Sequence, residues 1–254
     1  LVAAIDIVQT SGGRVICLQS TPWSSYVFVG DPFTAAYLPP EAFQRFRDAD
    51  EEDRKLIESR LQRGGVEWEW RHGEGSAAAL ITEHASLADL VVLSQPEPEE
   101  SKLLRHAPLA SDVAVHVQTP SLVVPVSNTS FSSAGPAVIA WNGSPEAAHA
   151  VRLSRSLLRT ATEIDIVCVS EDENTSAPDA LVEYLALQKL GAKTHIVAQD
   201  DASIAHTLVL TANRLGASYI VLGAYGHSRV RETILGGVTQ EMILHSSIPL
   251  VLAH

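Results

Sequence analysis

The chain has 254 residues, 46% hydrophobic and 19% charged, which suits one large globular domain or two smaller ones. A formal net charge of −12 argues against DNA or RNA as the main partner, because phosphate backbones are held by excess Lys and Arg. No run of about 18 apolar residues occurs, so no helix is expected to cross a membrane, and no signal peptide is apparent.

The chain opens at Leu1 inside what reads as a helix, so a natural start upstream of Leu1 is expected. Ser11-Gly12-Gly13-Arg14 then reads as a helix C-cap turn rather than a catalytic glycine loop, because it follows a helix and precedes a strand. The strand RVICLQS holds Cys17, and its later counterpart IDIVCVS holds Cys168. Two thiols in separate apolar strands suit a reducing compartment, hence free cysteines and a cytoplasmic setting. Residues 21–40 are rich in proline and aromatic side chains, and the charged run 48–55 reads as the solvated face of a helix. Trp68 and Trp70 alternate along one strand and are expected to pack against a helix or a partner. Strands follow within LADLVVLSQPEP and HVQTPSLVVPV, and the polar stretch 127–135 reads as a linker.

Beyond the linker, residues 137–141 read as a strand, and Ser144 and Pro145 as the N-cap and first position of a helix. A strand at 164–169, a helix near 179–190 and a weak strand at 194–198 come next. Ser203 caps a helix whose Ile204, Leu208, Ala212 and Leu215 share one face, closed by Gly216. The wholly apolar strand at 219–222, a helix at 238–244 and a strand at 249–253 complete the order. Strands separated by helices in this way predict a doubly wound parallel sheet.

The chain repeats itself. LADLVVLSQPEP matches LGASYIVLGAYGHS, and HVQTPSLVVPV matches HSSIPLVLAH, at a constant offset of 129 that pairs Ala88 with Ala217, His116 with His245 and Pro120 with Pro249. The cysteine strands correspond at an offset of 151, so Leu1 aligns with Arg152. The first copy therefore lacks a first strand and half a helix. Two tandem α/β domains are expected, residues 1–127 and 135–254.

The stretch 220–239, IVLGAYGHSRVRETILGGVT, carries the chemistry. Gly223 and Gly226 follow a buried strand, and Gly236 and Gly237 open the last helix. Glycines at a strand's carboxyl end admit a ligand close to the backbone, and a helix N-terminus offers unpaired N–H groups with partial positive charge. Together these features read as an anion cradle, although the stretch matches neither a P-loop nor a dinucleotide fingerprint; the alternative reading is that the glycines only serve two tight turns. In the first copy the same positions are Ser94, Glu97, Ala107 and Pro108, with Glu99 and Glu100 nearby. Side chains, negative charge and a lost N–H donor there predict no phosphate site.

Gly223-x2-Gly226-x9-Gly236 after an apolar strand, then Val238-Thr239, the closing strand IPLVLAH and the opening VIAWNGSPEAAHAV, resembles the universal stress protein family. The resemblance spans both copies, as in a tandem member of that family. It implies adenine nucleotide alpha hydrolase-like domains joined as a pseudo-dimer through antiparallel pairing of their last strands, 121–125 and 250–253. A further homodimer of the tandem chain is compatible with it. The resemblance also implies ATP or AMP, with or without Mg²⁺, bound in the second copy without catalysis. Adenine contacts would map to Asn142 and Val169, and ribose and phosphate contacts to Leu222, Gly223, Gly226, Gly236, Gly237, Val238 and Thr239. His227 would neutralise phosphate charge or be solvated. Two positions depart from the family: Asn142 replaces an aspartate, and Gly237 replaces a serine or threonine. The alternatives are a slow ATP hydrolase, with His227 as its best general base, and a scaffold with both pockets inactive. No metal site is expected from the spacing of Cys and the ten histidines.

Overall fold

A computed structural model describes residues 1–21, 40–95, 109–128, 130–170, 178–199, 203–224 and 237–254. The first half runs α1 (Val2–Ser11), β1 (Arg14–Thr21), α2 (Pro40–Gly64), β2 (Glu67–Glu74), α3 (Ala77–Ala85), β3 (Val91–Ser94), α4 (Leu109–His116) and β4 (Ser121–Val124). The second runs β5 (Ala137–Ala140), α5 (Pro145–Leu153), α6 (Arg155–Leu158), β6 (Ile164–Ser170), α7 (Asp179–Leu187), β7 (Lys193–Ala198), α8 (Ile204–Arg214), β8 (Tyr219–Gly223), α9 (Gly237–His245) and β9 (Leu250–Ala253).

Local chemistry starts and stops these elements. Ser144 Oγ accepts from the Ala147 N–H at 3.1 Å with Pro145 behind it, and Ser203 Oγ accepts from the His206 N–H at 3.0 Å. Each cap satisfies a donor that the first helical turn leaves unpaired. The turn after α1 is a helix stop, as its sequence predicts: the Gly12 N–H returns to the Val8 carbonyl. Trp70 also finds the helix expected of it, with the Arg54 guanidinium 5.1 Å from its ring centre and its Nε1 donating to Gln19 Oε1.

In the second half five parallel strands lie in the order β9-β8-β5-β6-β7. Alternate side chains point to opposite faces, and both faces are covered. Ile139, Ile166, Val221 and Val251 pack with Ala150, Leu158 and Leu185 from α5, α6 and α7. Val138, Val167, Ile220 and Leu250 pack with Leu208 and Ala212 of α8 and with Met242 and Ile243 of α9.

The sheet does not stop at β9. β4 joins it antiparallel, with Ser121 opposite Leu252, Leu122 opposite Val251 and Val123 opposite Leu250, and β3 extends it beyond β4. The two last strands thus pair across the halves, as expected. Their preceding elements obey the internal repeat: Val91 pairs with Ser121 as Ile220 pairs with Leu250, the same offset of 129.

One expectation is modified. The first half does not form a complete doubly wound sheet, because β1 and β2 pair only with each other as a separate two-stranded sheet. In the second half β5 bridges β8 to β6. By the repeat those strands correspond to β3 and β1, and among the described residues no strand stands between β3 and β1 to join them.

Among the described residues the far side of β3 is therefore a free edge. The amides of Val91 and Gln95 donate to β4 and its flanks, so by alternation those of Val92 and Ser94 face away from it. Hydrogen exchange at Val92 and Ser94 is expected to run at least tenfold faster than at Val221 and Gly223, which sit beside β5. Equal protection, measured by amide-resolved exchange, would mean that the edge is covered.

Candidate functional site

The carboxyl ends of β5, β6 and β8 meet where the chain reverses direction across the sheet. β5 leads outward to β6 and β7, and the chain then returns to place β8 on the other side of β5. Ligands of open α/β sheets bind at such a switch point. Register aligns the site: Ile139 is opposite Val221 and Ala140 opposite Val167. Two residues further along, Val169 is level with Asn142 and Gly223 with Trp141, so Asn142, Val169 and Gly223 come within one residue of a common row at the ends of three adjacent strands.

Each member of the row is held by a different cause. Asn142 is exposed, and its Oδ1 accepts from the Ser144 N–H at 3.1 Å. That bond fixes the amide orientation and commits its oxygen to the turn, leaving the NH₂ as the free donor. Gly143 takes φ +75°, the left-handed region that glycine enters without cost, and so delivers Ser144 to the cap of α5. Val169 is half-buried against the core shared with α8 and α9. Leu222 is 4% exposed and its side chain belongs to the same core, so only its backbone faces the edge.

Gly223 has a packing reason of its own. A Cβ there would lie 2.5 Å from Ala147 N and 2.5 Å from the Glu146 carbonyl carbon, both backbone atoms in the first turn of α5. Strand and helix approach too closely for any side chain. Sequence reasoning assigned this glycine to phosphate and missed the helix; the signal was the small Ala147 at the facing end of α5. Ser94, its counterpart on β3, is exposed.

Gly237 begins α9 and is exposed, with nothing among the described residues within 4 Å of the position its Cβ would take. Val238 is half-buried and Thr239 buried, 6% exposed, anchoring the first turn to the core. The first turn carries no acidic residue, so the positive end of the helix dipole is not neutralised locally. Glu241 lies further along, its Oε1 accepting from Ser203 Oγ at 2.7 Å.

Residues 135–254 match the family model described as Universal stress protein family. The C-terminal half is a universal stress protein domain. The whole chain is also similar in fold to a universal stress protein from Archaeoglobus fulgidus, at 15% identity and TM-score 0.77, covering 99% of this chain and 90% of that one. A functionally unknown protein from Pseudomonas aeruginosa matches at 13% identity and TM-score 0.57, covering 94% and 92%. None of the curated proteins matches the chain.

Of the residues expected to contact a ligand, the universal stress protein domain brings Asn142, Val169, Leu222 and Gly223 to one edge, and places Gly237, Val238 and Thr239 in the opening turn of α9. Gly226, His227 and Gly236 lie outside the described residues, as do Ser228 and Arg229. So do Glu97, Glu99, Glu100, Ala107 and Pro108 of the first half, and residues 22–39. Cys17 and Cys168 are free, and burial raises both thiols above their usual range, which keeps them protonated. Among the described residues no group of Cys, His, Asp and Glu is placed to hold a metal, and no helix is long and apolar enough to cross a membrane. The pair of buried Asp165 and half-buried His195, 2.7 Å apart, lies toward the opposite end of β6 from the row.

The two glycines predict opposite outcomes. Gly223→Ala forces β8 and α5 apart and should destabilise the protein by about 1–3 kcal/mol, the usual cost of overpacking. Gly237→Ser enters open space and should change stability by less than about 0.5 kcal/mol. Urea denaturation of both variants checks this, and equal effects would contradict the packing described for Gly223.

Proposed function

We propose that the universal stress protein domain binds ATP or AMP at the carboxyl edge of its sheet and does not turn it over. The observation that carries this reading is the row Asn142, Val169 and Gly223 at the switch point, in a half whose last helix opens with an exposed, unobstructed Gly237. Such an arrangement suits a ligand with a flat polar base and a phosphate tail. The Asn142 NH₂ would donate to the base, and the backbone of Gly223 and of the first turn of α9 would hold ribose and phosphates. The departure at Gly237 removes a hydroxyl but leaves its N–H. The nucleotide itself supplies the charge, and any accompanying Mg²⁺ would bind through its phosphates.

A second reading has one observation in its favour. Because Gly223 is required by the backbone of α5, its presence alone does not demand a nucleotide, which keeps a scaffold with inactive pockets in play. Isothermal titration with ATP and Mg²⁺ separates the two. We expect one site per chain in the parent and none in Gly226→Glu, which copies the residue at Glu97 into the loop. Two sites per chain, or unchanged binding in the variant, would overturn the assignment to the C-terminal domain.

Turnover is expected to be very slow. Backbone N–H groups that bind ground-state phosphates as well as the transition state do not accelerate hydrolysis. His227→Ala should leave any hydrolysis measured under single-turnover conditions within a few-fold of the parent. A general base contributes about 10²–10⁴-fold, and a loss of that size at unchanged affinity would make the protein an enzyme.

A further inference from the structure

The polar stretch between the halves reads as a tether in the sequence, and the structure gives it a different character. Its carbonyls are taken up by the second half. The Ser133 carbonyl accepts from Thr160 Oγ1 at 2.9 Å, the Ala134 carbonyl from the Thr162 N–H at 3.0 Å and the Pro136 carbonyl from the Ser218 N–H at 2.8 Å. The Ser132 carbonyl accepts from the Gly135 N–H at 3.2 Å, which turns the chain between them. A Cβ at Gly135 would overlap Ser218 Oγ, so the strap lies flat against the turn before β8. Pro136, Thr162 and Ser218 stand one or two residues before β5, β6 and β8. The strap therefore borders the amino ends of the three strands whose carboxyl ends meet at the switch point.

The first half grips the same strap from the other side. Phe131 is 6% exposed and enters the core that Ala3 of α1 shares with Tyr219, its ring centre 6.1 Å from that of Tyr219. The Ser133 N–H donates to Asp6 Oδ1 at 2.6 Å. A backbone donor on a carboxylate makes one of the stronger protein hydrogen bonds. Asp6 interrupts the otherwise apolar opening of α1, VAAIDIV. The offset of 151 matches it to Leu157, a core residue 7% exposed. The repeat thus allows an apolar side chain at this position, and the first copy has an acid where the strap presents an amide. One strap serves two halves, so only one copy needs the acid.

We infer that residues 130–136 form a clasp, closed at the Asp6–Ser133 bond, through which the docking of α1 holds the amino ends of β5, β6 and β8 in order. Ser133 is 1% exposed and gives its N–H to one half and its carbonyl to the other. Without the Asp6 carboxylate that buried N–H has lost its acceptor, a costly state that lifting the strap into water relieves. Lifting it breaks the bonds from Thr160, Thr162 and Ser218 together, so the strap opens as a local unit. The clasp does not depend on whether a nucleotide binds at the far end of these strands.

The test is amide-resolved hydrogen exchange on the intact chain, comparing the parent with Asp6→Ala and Asp6→Asn. The decisive amides are Thr162 and Ser218, which donate to the strap and not to Asp6. In Asp6→Ala both should exchange about tenfold faster or more, while Val251 and Leu252 of the seam strand β9 stay within about threefold of the parent. Asp6→Asn keeps an acceptor oxygen and should lie nearer the parent than Asp6→Ala. Unchanged rates at Thr162 and Ser218 in Asp6→Ala would overturn the clasp, since the strap would then be held without Asp6. Loss of the fold in Asp6→Ala, or equal acceleration at Val251 and Leu252, would overturn it too, because Asp6 would then support the whole molecule. So would equal rates in the two variants, because the bond to Ser133 would not be the operative contact.

Discussion

The antiparallel pairing of β4 with β9 is the constraint from which the rest of the architecture follows. Both strands are short and apolar, and Leu122, Val123, Leu250, Val251 and Leu252 are each no more than 1% exposed. Left unpaired, they would present apolar edges with free backbone donors and acceptors, the arrangement that drives sheets to associate. Pairing them with each other removes both edges at once. It also makes the core continuous, since Leu122 packs with Val251 on one face and Val123 with Leu250 and Leu252 on the other. The helices are then placed by the same relation: α4 and α9, which match at the repeat offset, touch across the seam on one face. On the other, α1 meets α5 and α6 around the linker at Ser133.

A second close approach sets the site. The backbone contact between Gly223 and the first turn of α5 brings the end of β8 against the helix that follows β5. It seats the first turn of α5 over the end of β8, beside the switch point. The helix contact accounts for Gly223 without a ligand, so this glycine alone does not distinguish a ligand site from a packing requirement. In the first half the counterpart Ser94 is exposed, on a strand with no outer neighbour among the described residues.

The sequence made most of this fold legible because its signals were local and repeated. The caps at Ser144 and Ser203, the apolar run of β8 and the 129-residue offset each have a direct physical cause, and each element lies within a few residues of its expected place. The division of the first half into two sheets rests on long-range strand pairing, which no local pattern reports: among the described residues no strand joins β3 to β1. The site was legible as a row of strand ends, through the glycine spacing and the turn at Asn142. The role of Gly223 in helix packing was not legible, because it depends on a tertiary contact with Glu146 and Ala147.

The two halves thus divide the work unequally. The second keeps the switch point between β5, β6 and β8, where binding as proposed would draw on main-chain N–H groups and the dipole of α9. That choice is consistent with a chain of net charge −12, because the field that favours an anion at α9 comes from peptide groups that formal charge does not count. The first half contributes what a half without a glycine loop can still supply. It covers the apolar edge of β9, it lends α1 to the shared core through Ala3, and it closes one side of the junction where Ser133 is clamped. Among the described residues, the first half's share of the seam is built by β4, α4 and α1.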